Sequence, residues 1–284
     1  MRKGAKMLEF QLFRVKVYPS GQMRFDGPQK PSEILLETIN LLPSAELWRG
    51  MIWHLGNICK LDEDGLYFRV GRTTKAKREV YRGGNFIDEE FEEAPYTHVV
   101  LDIPTEVCAI AKKPKLSPSP KGIANRLVDL FSRSEIARYC SANFEIDGLM
   151  DPEDLITHLS QAYVISKFSM TFSRPNPFDA DADFVRPFSK LINEAEGEKG
   201  KAQIEGENLK PQLLENLARS AAATGNDAMA RLQLDREQKP TTIHLDKNPV
   251  LVQHEDVTES EQKRNLLDKV RRVYKQVRGK IISG

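Results

Sequence analysis

The stretch Asp62-Glu63-Asp64-Gly65-Leu66-Tyr67-Phe68-Arg69-Val70-Gly71-Arg72 carries the clearest structural signal in this sequence. Its first four residues have the polar, glycine-terminated composition of a hairpin turn. The next seven are rich in the aromatic and β-branched residues that strands favour, so the pattern predicts a strand that begins directly after a turn. Three other runs are predicted strands: Leu8–Tyr18, Tyr96–Ile103 and Val107–Ala111. The apolar stretch Trp48–Ile58 fits either a strand or a helix.

The rest of the chain mixes helical and strand patterns. The segment Lys112–Lys121 contains three prolines and four lysines, so it is predicted to be an exposed, extended connector. Thr258 and Glu261 have the spacing of a capping box for the last helix. The predicted helices are Glu33–Leu42, Ser119–Tyr139, one that begins after Asp151-Pro152, Phe184–Glu196, Lys210–Thr224 and Glu259–Ile282. The predicted later strands are Tyr163–Phe172, Ala202–Glu205, Thr241–Leu245 and Pro249–Gln253.

These elements predict an α+β fold in three regions. Residues 1–141 form a strand-rich N-terminal domain with basic loops, residues 142–256 an acidic mixed α/β domain, and residues 257–284 a basic amphipathic C-terminal helix. The net charge of +1 conceals this division, because Lys+Arg and Asp+Glu number 22 and 18, 12 and 20, and 8 and 3 in the three regions. A chain that is basic at both ends can present a polyanion-binding surface despite a nearly neutral total.

Several classes of protein are disfavoured by the sequence. Its three cysteines, Cys59, Cys108 and Cys140, are widely spaced, which predicts reduced thiols and neither a disulfide framework nor a zinc ribbon. No window approaches the ~18 uninterrupted apolar residues of a membrane span. The five histidines are scattered, and no phosphate-binding glycine loop is present. We therefore predict a soluble cytoplasmic protein with no catalytic residues, no metal ligands and no cofactor.

Three basic clusters are the candidate nucleic-acid-binding residues. The first follows the strand quoted above and has aromatic residues between its cations, the second lies in the proline-rich connector, and the third surrounds an apolar stripe on the last helix. Their members are Arg69, Arg72, Lys75, Lys77, Arg78 and Arg82; Lys112, Lys113, Lys115 and Lys121; and Arg271, Arg272, Lys275 and Arg278, with Lys263, Arg264, Lys269 and Lys280 on the same helix. Cations spread along a surface bind phosphates, and neighbouring aromatic rings stack on unpaired bases. A solvated surface is the alternative interpretation of each cluster taken singly.

Acidic residues offer further interpretations. Asp102, Glu106 and a distant carboxylate such as Asp183 are a possible metal-binding set for a nuclease, although no motif joins them. Residues Asp179–Asp183 resemble the opening of a calcium loop, but the sixth and twelfth positions are not the glycine and glutamate that such loops need. The run Asp88–Glu93 predicts an exposed loop or a helix start, or a segment that occupies a basic surface in the absence of nucleic acid.

The order of elements from Leu41 to Phe131 resembles that of phage-exclusion proteins of the RexA type and related bacterial defence proteins. The shared features are an apolar segment, the hairpin with Leu66–Lys75, the strand pair within His98–Ile110, a Ser-Pro loop and the apolar helix Ile123–Phe131. A basic C-terminal helix adds to the resemblance. It implies a cytoplasmic homodimer that binds DNA without sequence specificity in antiphage or mobile-element defence, and it implies no individual site residue. The alternatives are a protein-interaction subunit of a multi-protein defence complex and a metal-dependent nuclease.

Overall fold

A computed structural model describes residues 7–19, 30–173, 185–195, 197 and 199–279. The strands are β1 (Met7–Pro19), β2 (Ser44–Trp48), β3 (Met51–Lys60), β4 (Gly65–Arg82), β5 (Asn85–Glu93), β6 (Tyr96–Asp102), β7 (Val107–Ala111), β8 (Ala142–Gly148), β9 (Val164–Ser173), β10 (Lys199–Glu205), β11 (Ala228–Gln233), β12 (Thr241–His244) and β13 (Leu251–Glu255). The helices are α1 (Pro31–Asn40), α2 (Pro120–Ser132), α3 (Glu135–Tyr139), α4 (Glu153–Gln161), α5 (Val185–Glu194), α6 (Pro211–Thr224) and α7 (Ser260–Arg278). The predicted α+β class is confirmed.

The strands form two antiparallel sheets. The larger sheet has the order β13-β1-β7-β6-β4-β3-β2, with β8 also paired to β1 and β5 also paired to β4, and the smaller has the order β10-β9-β11-β12. Strands β8 and β13 follow one another along the same edge of β1, where Leu12 donates to Val250 and accepts from Leu149. The compositional boundary near residue 141 therefore lies between strands of one sheet, because β8 and β13 come from the predicted second region and β1 from the first.

Helices cover both faces of the large sheet. In β1, Phe13, Val15 and Val17 point to a core shared with α1, α2 and α3, while Phe10 and Leu12 point to a core shared with α4, α6 and α7. The smaller sheet packs on this second helical layer, chiefly against α4 and α6. The order of layers is therefore helices, large sheet, helices, small sheet, and α7 lies directly on the large sheet.

Beyond the sheet, β4 and β5 continue as a two-stranded ribbon, residues 74–93, which we call the arm. Nine residue pairs join its strands, from Thr74 and Glu93 at the base to Arg82 and Asn85 at the tip. Gly83 and Gly84 close it with φ values of +57° and +88°, as a two-residue type I′ turn requires. At about 3.3 Å per residue the arm extends roughly 30 Å. Most of its side chains are exposed, including Tyr81 and Phe86 at the tip.

Several local predictions can be compared with the structure. The turn at Asp62–Gly65 is confirmed, and the ambiguous stretch Trp48–Ile58 consists mostly of strand β3. The single helix predicted over Ser119–Tyr139 is wrong, because Ser134 accepts a hydrogen bond from Ala137 N and starts a second helix. The capping box of α7 is Glu259 with Gln262, one residue after the predicted pair. The run Asp88–Glu93 is strand β5 rather than a loop or helix start, and Asp179–Asp183 lies outside the described residues.

Within the described residues, no helix is both long enough and apolar enough to cross a membrane.

Candidate functional site

Side chains from four elements converge at one edge of the layer that contains α7. Tyr67 and Arg69 of β4 and Tyr96 and His98 of β6 share this face of the sheet, because Arg69 pairs with His98 across the strands. Two adjoining cavities of about 600 and 360 Å³ open here, and both are lined by His98, Lys113, Lys115 and Asp256. We call this region the aromatic–basic cleft; its residues are Tyr67, Arg69, Tyr96, His98, Lys112, Lys113, Lys115, Asp256 and Lys263.

Two cations in the cleft lie over aromatic rings. The guanidinium carbon of Arg69 is 4.3 Å from the centroid of the Tyr96 ring, and the Lys263 ammonium is 4.5 Å from the centroid of Tyr67. A cation at this distance is attracted by the ring quadrupole. These contacts hold both positive charges close to aromatic rings at the cleft.

A chain of hydrogen bonds orients the remaining groups. A guanidinium can only donate, so the Tyr67 hydroxyl accepts from Arg69 Nε at 3.0 Å. The same hydroxyl is hydrogen-bonded to His98 Nδ1 at 2.7 Å, in a direction that depends on the tautomer of the imidazole. The nearest carboxylate oxygen, Asp256 Oδ1, is 3.9 Å from Nε2, which is beyond hydrogen-bond range. Nε2 of neutral His98 is thus a donor or an acceptor at the cleft, according to the tautomer.

Burial keeps His98 uncharged. It lowers the pKa of His98 to about 4; Asp256 opposes this shift, and the cations Arg69, Lys113 and Lys263 add to it. Burial also raises the pKa of Tyr67, which therefore stays protonated at neutral pH. The polar groups inside the cleft are therefore neutral donors and acceptors, while its positive charge comes from the surrounding lysines and Arg69.

Gly71 allows Tyr96 to approach β4 closely. The two residues are paired across β4 and β6, and a Cβ atom at position 71 would lie 2.6 Å from the carbonyl oxygen of Pro95 and 2.9 Å from Tyr96 Cβ. Contacts this short require the backbone to move. Any larger residue at position 71 would therefore displace Tyr96 from its place over Arg69.

Carboxylates offset part of the positive charge of the cleft. Glu9 lies 3.5 Å from Lys112, and Glu93 lies 2.7 Å from Lys115. Asp256 adds a third negative charge. Five cations against three carboxylates leave a net positive cleft. Lys113 of the connector lines both cavities, and Lys263 of α7 lies over the ring of Tyr67.

The structure separates the other predicted binding residues. The cations of the arm, Lys75, Lys77, Arg78 and Arg82, stand beside the five acidic residues of β5. Arg78 and Arg82 both contact Glu89, at 2.7 and 3.1 Å, and Lys77 lies 3.5 Å from Glu90. With Glu79 included, six acidic residues oppose four basic ones, so the arm as a whole is negative.

Arg72 and Lys121 lie on the opposite face of the large sheet. Both line a cavity of about 720 Å³ next to α2. Arg72 donates to the carbonyl of Lys115 at 3.1 Å, and Lys121 donates to the carbonyl of Ile146 at 2.8 Å. These two residues join the connector and β8 to the body of the fold, so within one chain the three predicted clusters do not share a groove.

The predicted cluster on α7 lies farther along that helix. Arg271 hydrogen-bonds Asp102 at 2.6 Å and Asp62 at 2.6 and 3.2 Å, and these bonds raise its pKa and lower that of Asp62. Arg272 and Lys275 are exposed, and Arg278 is half-buried near the C-terminal end. Arg271 is therefore tied to the fold, whereas Lys263 at the start of α7 is the helix residue that reaches the cleft.

Of the carboxylates considered for a nuclease, Asp102 and Glu106 do not form an open metal site, and Asp183 lies outside the described residues. Asp102 is bound to Arg271, and the side chain of Glu106 is buried. In the part of the chain that the structure describes, no group of three or more His, Cys, Asp or Glu residues is placed to hold a metal ion. Cys108 is buried, which raises its pKa to about 12, so its thiol stays protonated at neutral pH.

No protein-family model matches the chain, and no curated protein matches it either. The functional argument therefore depends on the geometry of the cleft.

Sequence reasoning selected Arg69, Lys112, Lys113 and Lys115 of the cleft as binding residues and named Lys263 with the basic cluster of the last helix, but it missed Tyr96, His98 and Asp256. Tyr96 and His98 alternate along β6 as Tyr67 and Arg69 do along β4, so a shared face was visible in the pattern. Only the strand register shows that the two pairs meet. Lys263 had no local signal that distinguished it from the other basic residues of its helix.

Proposed function

We propose that the protein binds nucleic acid in the aromatic–basic cleft. The observation that carries this proposal is the pair of cation–ring stacks, Arg69 on Tyr96 and Lys263 on Tyr67, beside the lysines of the connector. Cations attract the phosphate backbone, and aromatic faces accept bases of any sequence. Binding without sequence specificity follows, because most of these groups contact phosphates or ring faces rather than base edges.

DNA is the nucleic acid to test first, and the role we propose is cytoplasmic defence against phage or mobile elements. The resemblance of residues 41–131 to phage-exclusion proteins supports this biological role. The net positive charge of the cleft supports binding to a polyanion in general.

Lys113→Glu is expected to weaken DNA binding about tenfold or more and to reduce the slope of log K against log salt by about one. Lys113 lines both cavities of the cleft, so charge reversal places a carboxylate where a phosphate would lie. Fluorescence anisotropy with labelled DNA over a salt series measures both quantities. Lys75→Glu makes the same change of charge on the arm and serves as the matched control.

Equal losses in the two variants would show that only net charge matters and would contradict a specific role for the cleft. Running the products on a gel with Mg²⁺ present tests the nuclease alternative, since cleaved DNA would favour it over binding alone.

A protein-interaction role is the second candidate function, and the exposed tip of the arm favours it. Phe86 is 84% exposed, Tyr81 is 64% exposed, and their rings lie 4.9 Å apart. An isolated two-stranded hairpin is only marginally stable in water, and exposed aromatic pairs commonly anchor protein contacts. We take a second copy of the chain as the partner, because the aromatic pairs at the tips of two identical arms can pack on one another about a two-fold axis.

Replacing both tip residues, Tyr81→Ser with Phe86→Ser, is expected to abolish self-association without unfolding the protein, since both side chains are exposed. Sedimentation velocity over a range of concentrations should show a dimer for the wild type and a monomer for the variant. Tyr139→Ser removes another exposed tyrosine, on α3, and should leave the dimer intact. A wild type that stays monomeric at all concentrations would contradict the arm as a self-association element.

A further inference from the structure

We infer that the cleft accepts an unpaired strand, with one base extending the Tyr96–Arg69 stack, and that it does not accept intact duplex. This inference rests on the proposed nucleic-acid binding and names its substrate class. It depends on three observations: the exposed ring of Tyr96, the concave shape and size of the site, and the neutral imidazole of His98 that lines both cavities.

Tyr96 offers an aromatic surface that no apolar core covers. The residue is 42% exposed, although the guanidinium of Arg69 lies over its ring. Tyr67, by contrast, is buried and hydrogen-bonded at its hydroxyl, so it supports the site without being reachable itself. Stacking a planar base on an exposed ring is the usual way in which proteins hold single strands, and a neighbouring arginine adds to it.

The shape of the cleft favours single nucleotides over a paired helix. Its cavities, about 600 and 360 Å³, are of the size of small-ligand pockets and are concave. A duplex is instead read by a helix or ribbon that enters its groove. The ribbon that this fold projects, the arm, has a negative net charge, which opposes entry into a groove lined by phosphates. A cavity of this size takes single nucleotides whose bases have left the stack.

His98 adds a polar contact for the edge of a base. Its Nδ1 is hydrogen-bonded to Tyr67, which leaves Nε2 of the neutral imidazole at the cleft. The ring of His98 also meets the Tyr96 ring edge-on, with centroids 5.7 Å apart. A base held near Tyr96 therefore has a neutral imidazole close to its edge, and the Watson–Crick edge of a base is free only when the base is unpaired.

The test compares single-stranded DNA with a duplex of the same length, bound to the full-length protein and measured by fluorescence anisotropy. The wild type is expected to bind the single strand at least about tenfold more tightly. Tyr96→Ala is expected to reduce single-strand affinity about tenfold or more, while Tyr96→Phe keeps most of it. Tyr139→Ala removes an exposed tyrosine on α3, outside the cleft, and as the matched control it should leave both affinities unchanged.

A fluorescent base reports the stack directly. A strand that contains 2-aminopurine should lose fluorescence on binding to the wild type and to Tyr96→Phe but not to Tyr96→Ala. Gly71→Ala, which displaces Tyr96 while keeping its ring, should abolish the same quenching. Equal quenching in all four proteins would overturn the role of Tyr96.

The two proposals fail in different ways. Duplex that binds as tightly as the single strand, or more tightly, would overturn the inference of an unpaired strand while leaving nucleic-acid binding in place. No binding of either form at low salt would overturn both.

Discussion

Arg271→Met is expected to lower the free energy of unfolding by about 3 kcal/mol, because it leaves a buried carboxylate without its cation. The Asp102 side chain is only 4% exposed, and Arg271 donates to it at 2.6 Å while also holding Asp62 in a two-point contact. Methionine preserves much of the apolar length of the side chain, so the loss reports mainly on the ion pair. Urea unfolding followed by circular dichroism measures the difference.

Two further variants test whether the broken Arg271–Asp102 ion pair causes this loss of stability. Arg272→Met removes the same charge from the neighbouring exposed position and should change the free energy of unfolding by less than about 0.5 kcal/mol. Adding Asp102→Asn to Arg271→Met should recover part of the loss, because a neutral amide is less costly to bury than a carboxylate. If Arg271→Met unfolds like the wild type, the pair contributes no more than a surface ion pair does.

The same variant separates a structural cation from a binding one. Arg271 lies about 12 Å farther along α7 than Lys263, so folded Arg271→Met should bind single-stranded DNA with wild-type affinity. A loss of DNA affinity as large as that expected for Lys113→Glu would show that Arg271 belongs to the nucleic-acid-binding surface. That role is the one predicted from its place in a basic cluster of the sequence.

Local sequence patterns were sufficient for most strands and helices of the fold. Alternation and turn composition located β1, β4, β6 and β7. One or both faces of these strands are buried, and the buried positions are occupied by apolar residues that form a recognisable pattern. Strand β5 was missed because it is exposed and acidic, and its stability comes from pairing with β4 rather than from its own propensity. The position of β13 beside β1 depends on residues far apart in sequence, and no local pattern contains that information.

The same distinction applies to the basic residues. A cluster in the sequence shows how many cations are near one another along the chain, but not which carboxylates they meet. Arg78 and Glu89 are joined only by the hairpin, and Arg271 and Asp102 only by the packing of α7 on the sheet. The cleft instead combines cations from β4, the connector and α7 with rings from β4 and β6. Its positive charges are those that the fold leaves stacked on rings or facing the cavity.

The buried His98 of the cleft also makes the stability of the fold depend on pH. Burial lowers the pKa of His98 to about 4 in the folded protein, against 6.5 for an exposed histidine. The unfolded chain therefore binds a proton at this residue between those two values, and the folded chain does not. The His98 imidazole therefore costs no stability above pH 6.5. As the pH decreases from 6.5 toward 4, the free energy of unfolding falls, by about 3 kcal/mol for the full shift in pKa.

His98→Gln is expected to remove most of this loss between pH 6.5 and 4.5, where carboxylates contribute little. The glutamine carbonyl can accept from the Tyr67 hydroxyl and its amide can donate to the cleft, so the hydrogen bonds remain while the titrating group is gone. Urea unfolding at several pH values should give a steep decline for the wild type and a nearly flat line for the variant. His158→Gln, on the surface of α4, is the matched control and should follow the wild type. An unchanged decline in His98→Gln would show that another group causes it, and that burial of His98 does not lower its pKa in the folded protein.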